Sequence, residues 1–462
     1  MSRALFFAAI SLAVAIAPSA ATLAAPGVAY DLTTGVKTGD VIHVDATMEV
    51  GGDLFAADDE GKEARLATSV VAKLDYDERL LDWSPYMEKA ARSLRHYHSA
   101  KATLKTDEIG IDRQLAKEDR LIVVDLAADG TSALNGLDQT LTRDEFDLVN
   151  VIGNTVLLER MLPGRSLKES EGWDHDAQTI GGLVGMDNVA VCEVRSVVTG
   201  MENRQVQIRL AGVVHGTVDG AASEMDLRGA YLFHLDERRI TKFNMAIKEV
   251  RKAGQVSPGL DVVAKLSLVM TPLSAIDQAD AFDKAQINAA KVKQPADLRR
   301  LRVESAARGY RFMHDKAWFL TAEQREAMSL RLMVAGELLG HCNVSTLPAR
   351  PADKPMTLQQ FEENVVKSLG DKLGEVKAAT EWANAAGHQC LGVVAVGTVD
   401  EVPMQWRYYY IGDAGKRPTT VAVTVEQSAE ERFADADRAI IDTLVLLDAP
   451  ASTAAKPGAA KK

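Results

Sequence analysis

The densest cluster of ligand-type side chains in the sequence is Asp174-His175-Asp176, directly after Trp173. Two carboxylates and an imidazole are the groups of a proton relay or a metal centre. Successive residues on a helix point about 100° apart, so three in a row converge on one centre only if other elements join them. An aspartate capping a helix start accounts for the acid without any chemistry. His96 and His98 stand two apart, which puts both imidazoles on one face of a strand, where a third ligand would complete a metal site. Arg92 and Arg95 beside them oppose a cation. His341-Cys342 and His388-Gln389-Cys390 are expected on strands that pair or neighbour. Adjacent strand residues face opposite ways, so only one of His341 and Cys342 meets His388 and Cys390, which argues against a four-ligand zinc centre. A Cys342–Cys390 disulfide is the sulfur candidate in an oxidising compartment, with two separately buried thiols as the alternative.

Trp406, Tyr408 and Tyr410 alternate with Gln405, Arg407 and Tyr409, so Met404 and the first three share a core-facing side. Tyr409 with Arg407 on the opposite side has the composition of a stacking site. The chain has no G-x-S-x-G, no phosphate loop, no H-E-x-x-H and no dinucleotide glycine fingerprint. Asn343-Val344-Ser345 matches a glycosylation sequon but falls in an expected strand. No catalytic residue, metal ligand or cofactor is therefore assigned.

The address is more legible than the reaction. Arg3, an apolar run from Ala4 to Pro18, and small residues Ser19 to Ala25 make residues 1–24 a secretory signal peptide, cleaved after Ala24. The first cysteine is Cys192, so there is no lipoprotein cysteine after the apolar run. This places the protein in the periplasm or outside the cell. Fifty-three Lys and Arg against 65 Asp and Glu give a net charge of −12, which argues against nucleic acid and anionic membrane surfaces. No later apolar run reaches the roughly 20 residues of a spanning helix, so no transmembrane segment is expected after cleavage.

Residues 25–273 carry the period of strands. Ile42, Val44, Ala46, Met48 and Val50 alternate with His43, Asp45, Thr47 and Glu49, and comparable alternation runs through 66–76, 206–214, 225–233, 240–250 and 262–270. Thr142-Arg143-Asp144-Glu145 is a capping box opening one short helix, and 174–185 is a second helix candidate. An alternating sheet this long with so little helix is expected to curl. Residues 274–296, rich in Asp, Lys, Ala and Gln up to Pro295, read as a solvated helical linker. Residues 297–448 alternate strands at 302–305, 308–313, 327–333, 338–345, 390–399, 404–410 and 419–425 with a helix capped by Thr357 and a closing helix capped by Ser428. Residues 449–462 read as a disordered tail.

Tyr310-Arg311-Phe312 leading to Lys316-Ala317-Trp318, the helix at 357–369, Val402-Pro403-Met404-Gln405-Trp406-Arg407-Tyr408-Tyr409-Tyr410, and the 412–416 hairpin before a capped helix resemble the PsbP-like fold. That resemblance implies an α/β/α sandwich around an antiparallel sheet and a binding or assembly role. The first half is similar in architecture to the curled half-barrels of lipoprotein-carrier proteins, and the whole layout resembles large secreted proteins of unknown function from planctomycete-type bacteria. The resulting fold class is α+β: an N-terminal half-barrel-like antiparallel sheet followed by a C-terminal α/β/α sandwich. The expected function is a non-catalytic binding protein of the cell envelope. Its first half would hold a lipid, another apolar ligand or a partner segment against Ile42, Val44, Met48, Leu74, Ile208, Leu210, Leu227 and Leu266, and its second half would meet an envelope protein. The alternatives are an assembly factor without ligand and a hydrolase with a dispersed site led by Asp174, His175 and Asp176.

Overall fold

The computed structural model describes residues 27–57, 63–86, 88–351 and 353–448. The expected signal peptide at 1–24 and the expected tail at 449–462 lie outside the described residues. The first half is built on one 12-stranded sheet whose neighbours are all antiparallel. From edge to edge its strands are Ser132–Gly136, Leu121–Leu126, Ala91–Thr106, Glu63–Asp82, Val41–Ala57, Gly259–Pro272, Arg239–Arg251, Ala221–His234, Gln205–Val218, Asn188–Glu202 and Gly172–Asp174. Ile109–Gln114 pairs alongside Ala91–Thr106, and the path stays open at both ends.

Tight turns set this order. Asn203 and Arg204 both take positive φ (47° and 65°), as do Asp219 and Gly220 (50° and 75°). These two-residue loops have the twist that matches adjoining strands, which fixes the register of three successive long strands. Two glycines let strands approach closely. A Cβ at Gly52 would meet Asp261 O at 2.2 Å, and one at Gly212 would meet Glu193 O at 2.0 Å. One face of the sheet is spent on a single core containing Val44, Leu74, Tyr97, Ile208, Leu210, Leu227, Phe233 and Leu266. Helices Arg143–Val149 and Ala177–Val184 add Leu148, Val149, Ile180, Leu183 and Val184 to it. Thr142 and Glu145 form the expected capping box. The second helix begins at Ala177 because Asp176 caps it, and it ends on left-handed Gly185.

The linker segment carries helices Ala275–Ala281 and Lys284–Lys291, and it does not stand free in solvent. Phe282 and Ala290 are buried with Val41, Leu81, Leu94 and Val123. Arg92 Nη1 also donates to Lys291 O at 2.9 Å. The two halves are tied directly as well: Lys316 Nζ donates to Leu134 O and Asn135 Oδ1, both at 2.6 Å.

The second half corrects the expected fold class. It holds a seven-stranded antiparallel sheet, in the order Trp318–Glu323, Ala327–Val334, Glu337–Thr346, Thr419–Glu426, Val402–Gly412, Gln389–Val399 and Leu373–Ala383. A separate small sheet joins Leu301–Ser305, Tyr310–His314 and Val445–Leu446. One helix, Leu358–Leu369, covers one side through Phe361, Val365 and Leu369. The other side carries the small sheet and two helical fragments, Glu430–Phe433 and Arg438–Thr443, in place of the single closing helix expected from Ser428. Ala434 at φ 46° breaks that helix, and its cap position falls on Ala429, while the Ser428 hydroxyl donates to Glu426 instead. With 55% strand and 17% helix the chain is mostly β, built of several antiparallel sheets, and neither an α+β protein nor an α/β/α sandwich. The periodic patterns identified strands; the helical layers were inferred from too few residues to cover a sheet.

Candidate functional site

Asp174, His175 and Asp176 do not converge. Asp174 pairs with Arg195 at 2.7 Å on the surface, and Asp176 accepts from Thr179 N at 2.7 Å as the helix cap. His175 turns inward, its Nε2 2.7 Å from Ser196 Oγ. Tyr231 Oη donates to the same Ser196 Oγ at 2.9 Å, leaving the serine hydrogen for the imidazole. Burial pushes the His175 pKa down to about 4, so the ring is neutral and accepts. The pair resembles a nucleophile and its base, but Ser196 is completely buried, and the carboxylates on either side of His175 serve other partners. Its geometry describes a satisfied core hydrogen-bond chain.

The apolar candidates are brought together, though as core. Val44, Leu74, Ile208, Leu210, Leu227 and Leu266 are all buried, with Ile42 and Met48 packed against them. Three of them, Ile208, Leu210 and Leu266, also border a groove of about 1270 Å³. Their side chains are 0–3% exposed, so they meet the groove from beneath the strands rather than as open apolar surface. Most of its lining comes from the alternate, polar face of the strands between Val41–Ala57 and Asn188–Glu202. Arg209, Arg228, Lys242 and Lys265 face Glu49 and Glu202 there, with Ala230, Leu232 and Ala246 between them. Among the described residues only Arg228 of these four cations has a carboxylate within 4.0 Å, Asp226 at 3.6 Å. Four cations against two acids make this groove locally basic in a chain of net charge −12. The signal for this groove lies in the wet half of each alternating strand, opposite the apolar residues.

His96 and His98 do share one face, and His43 and Asp77 from the next two strands join them there. In the second half, the strands bearing Cys342 and Cys390 neither pair nor neighbour, because Thr419–Glu426 and Val402–Gly412 lie between them. Three interstrand steps alone separate the two by at least about 14 Å, far beyond disulfide reach, and both are free thiols. The Cys342–Cys390 bridge is therefore excluded by topology. His388 is buried and structural, its Nε2 accepting Leu446 N at 3.1 Å. Tyr409 Oη donates to buried Asp437 at 2.5 Å, and Arg407 binds the same carboxylate at 3.1 Å, so neither offers a free stacking face.

No family model and no curated protein matches this chain. Distant structural neighbours include the PsbP-like and Mog1 folds and lipovitellin. Cyanobacterial PsbP from Synechocystis is 13% identical, covering 32% of this chain and 92% of its own, with a TM-score of 0.26. The Saccharomyces cerevisiae Ran-binding protein Mog1p is 8% identical, covering 32% and 96%, at 0.26. Lipovitellin is 10% identical over 52% of this chain and 26% of its own, at 0.30. Overlap at this level assigns no activity. No helix among the described residues is long and apolar enough to cross a membrane.

Proposed function

We propose that this chain is an exported, non-catalytic binding protein of the cell envelope, which holds an amphipathic anionic ligand of the lipid class along the polar face of its first sheet. The observation that carries the reading is the groove of about 1270 Å³, larger than the roughly 300–1,000 Å³ of small-molecule clefts. Its cations supply partners for an anionic head, and Ala230, Leu232 and Ala246 supply an apolar strip for a chain. The buried apolar face is unsuited to the task, because opening it would dismantle the core. Export rests on the composition of residues 1–24.

Native mass spectrometry of the protein recovered from its envelope fraction, before and after organic extraction, tests the reading. A mass lost on extraction is expected, together with saturable binding of a fluorescent fatty-acid probe. Arg228→Glu combined with Lys242→Glu should weaken that binding by about tenfold or more, since each lost charge contact is worth about 1 kcal/mol. Absence of bound mass and of probe binding in the unaltered chain would instead favour an assembly factor without ligand.

A further inference from the structure

Three adjacent strands bring a second constellation together on the same polar face. The register sets His43 opposite Asp77. His98 arrives by an irregularity: Tyr97 pairs with Tyr76 and Ser99 with Asp75, which leaves His98 as the extra residue of a bulge. Bulges re-aim side chains, and this one turns His98 Nε2 to within 2.8 Å of Asp77 Oδ2. The other oxygen, Oδ1, lies 2.8 Å from His43 Nδ1. Asp77 is almost fully buried beneath the two imidazoles, and the three ligand atoms lie within 4.8 Å of one another. On the far side of His43, Nε2 is 3.7 Å from both Asp45 Oδ2 and Asp75 Oδ1. Asp75 Oδ1 is itself buried without a hydrogen-bond partner. Three carboxylates thus crowd two imidazoles, and among the described residues no Lys or Arg nitrogen comes within 4.0 Å of them.

We propose that His43, Asp77 and His98 bind a first-row divalent cation of the zinc type. Two imidazole nitrogens and one carboxylate oxygen suit such an ion, whereas calcium and magnesium take oxygen ligands. A tetrahedral ion with bonds of about 2.0–2.2 Å needs its donors about 3.3 Å apart. His43 and His98 flank the two oxygens of one carboxylate at 2.8 Å each, and the three donors lie within 4.8 Å of one another, so rotation of the two imidazoles brings them to that spacing. His43 and His98 are 30% and 43% exposed, so an ion enters from solvent and keeps an outward position for water or a ligand. Asp45 and Asp75 then lie around the ligand His43, where carboxylates orient a metal-bound imidazole and raise its basicity. The site sits about 13 Å along its strand from Thr47 at the groove and does not depend on what the groove holds.

Cobalt(II) and zinc(II) titrations of the full chain, followed by absorption spectroscopy and calorimetry, test the assignment. One equivalent of either ion is expected, with a tetrahedral cobalt spectrum lacking any thiolate charge-transfer band. His43→Gln, Asp77→Asn and His98→Gln should each weaken binding by more than about 100-fold, beyond the loss typical of outer partners. Circular dichroism of the apo forms reports whether each variant keeps its fold. Where one does not, protection of His43 and His98 from diethylpyrocarbonate by zinc in the unaltered chain serves instead. The proposal is overturned if the unaltered chain takes up neither ion, if a thiolate band appears, or if folded variants bind as the unaltered chain does.

Discussion

The two large sheets of this molecule treat their faces differently. In the first, Gln205–Val218 alternates buried and accessible positions, one face going to the core and the other staying wet. In the second, Cys390, Leu391, Val393 and Ala395 are all fully buried, because different cores press on both sides of the strand. Polar groups follow that difference. Where both faces are covered they become braces: Tyr409 and Arg407 hold Asp437, and Asn384 Nδ2 donates to Ile441 O and Leu444 O at 3.2 and 2.7 Å. Where one face is wet they collect in open arrays, such as the basic groove and the His43–Asp77–His98 group. A ligand site is therefore to be sought where the alternation is cleanest, on the face that the core does not use.

Each half nevertheless has a buried charged brace, and removing these two should give the largest effects. In the first half Glu78 accepts from Arg95 Nε at 2.8 Å and Ser93 Oγ at 2.7 Å, and Thr155 Oγ1 reaches its other oxygen. Arg95 also donates to Asn154 Oδ1 at 2.7 Å, which ties the helix Thr155–Leu158 to the sheet. Glu78→Ala leaves the buried Arg95 guanidinium without a carboxylate, on the neutral Asn154 Oδ1 and Thr155 Oγ1 alone, and should cost about 3–5 kcal/mol. Asp437→Ala should cost only about 1–3 kcal/mol, because the Arg407 side chain is 12% exposed against 5% for Arg95, and water can reach it beside its acceptors Gln405 Oε1 and Ala434 O. Urea unfolding of both variants measures the order. Equal losses would mean that the two braces do the same work, contrary to the difference in burial between their arginines.

Strand positions were legible because alternation is a local signal. The strands expected at 327–333, 390–399 and 419–425 appear within one residue as Ala327–Val334, Gln389–Val399 and Thr419–Glu426. Trp318–Glu323 and Leu373–Ala383 were missed, being mostly exposed edge strands whose side chains carry little apolar period. What the sequence could not convey is which strands stand side by side. Cys342 and Cys390 look adjacent until two strands from the end of the chain insert between them. Likewise His43 and Asp77 are 34 residues apart and meet only through register, and His98 joins them only through a bulge. The apolar faces expected from alternation form the core, and of the eight residues expected to meet a ligand, Ile208, Leu210 and Leu266 border the groove.

An effect that appears only as pH changes sets the first half apart. Glu159, buried in the first half, accepts from Ile240 N and Thr34 Oγ1, each at 2.8 Å. Burial raises its pKa to about 7, above an ordinary value near 4.5. Below about pH 4.5 both folded and unfolded chains carry the proton, and its stabilising contribution is complete. Between there and pH 7 the unfolded chain ionises first, so stability falls as pH rises, by up to about 3 kcal/mol. Glu159→Gln should remove that slope, leaving the variant more stable than the unaltered chain at pH 8 than at pH 5 by comparison. Urea midpoints at the two pH values check this. A difference between the two proteins that is independent of pH would show that Glu159 is already ionised in the folded state.

The smallest effect concerns sulfur. All three cysteines are free, so a reductant should leave the melting temperature unchanged, although export would expose the chain to an oxidising compartment. Their reactivity should nonetheless divide by sheet. Cys192 lies on the wetter first sheet and is half-buried, with burial raising its thiol pKa. Cys390 is pushed up to about 11 and Cys342 higher still, both by burial in the doubly covered second sheet. Thiolate is the reacting form, so a thiol reagent at neutral pH should modify Cys192 first and the other two only at the rate of global unfolding. Mass spectrometry of the modified peptides over time resolves the order. Modification of Cys342 before Cys192 in the folded protein would show that the second sheet opens more readily than the first, reversing the comparison on which these expectations rest.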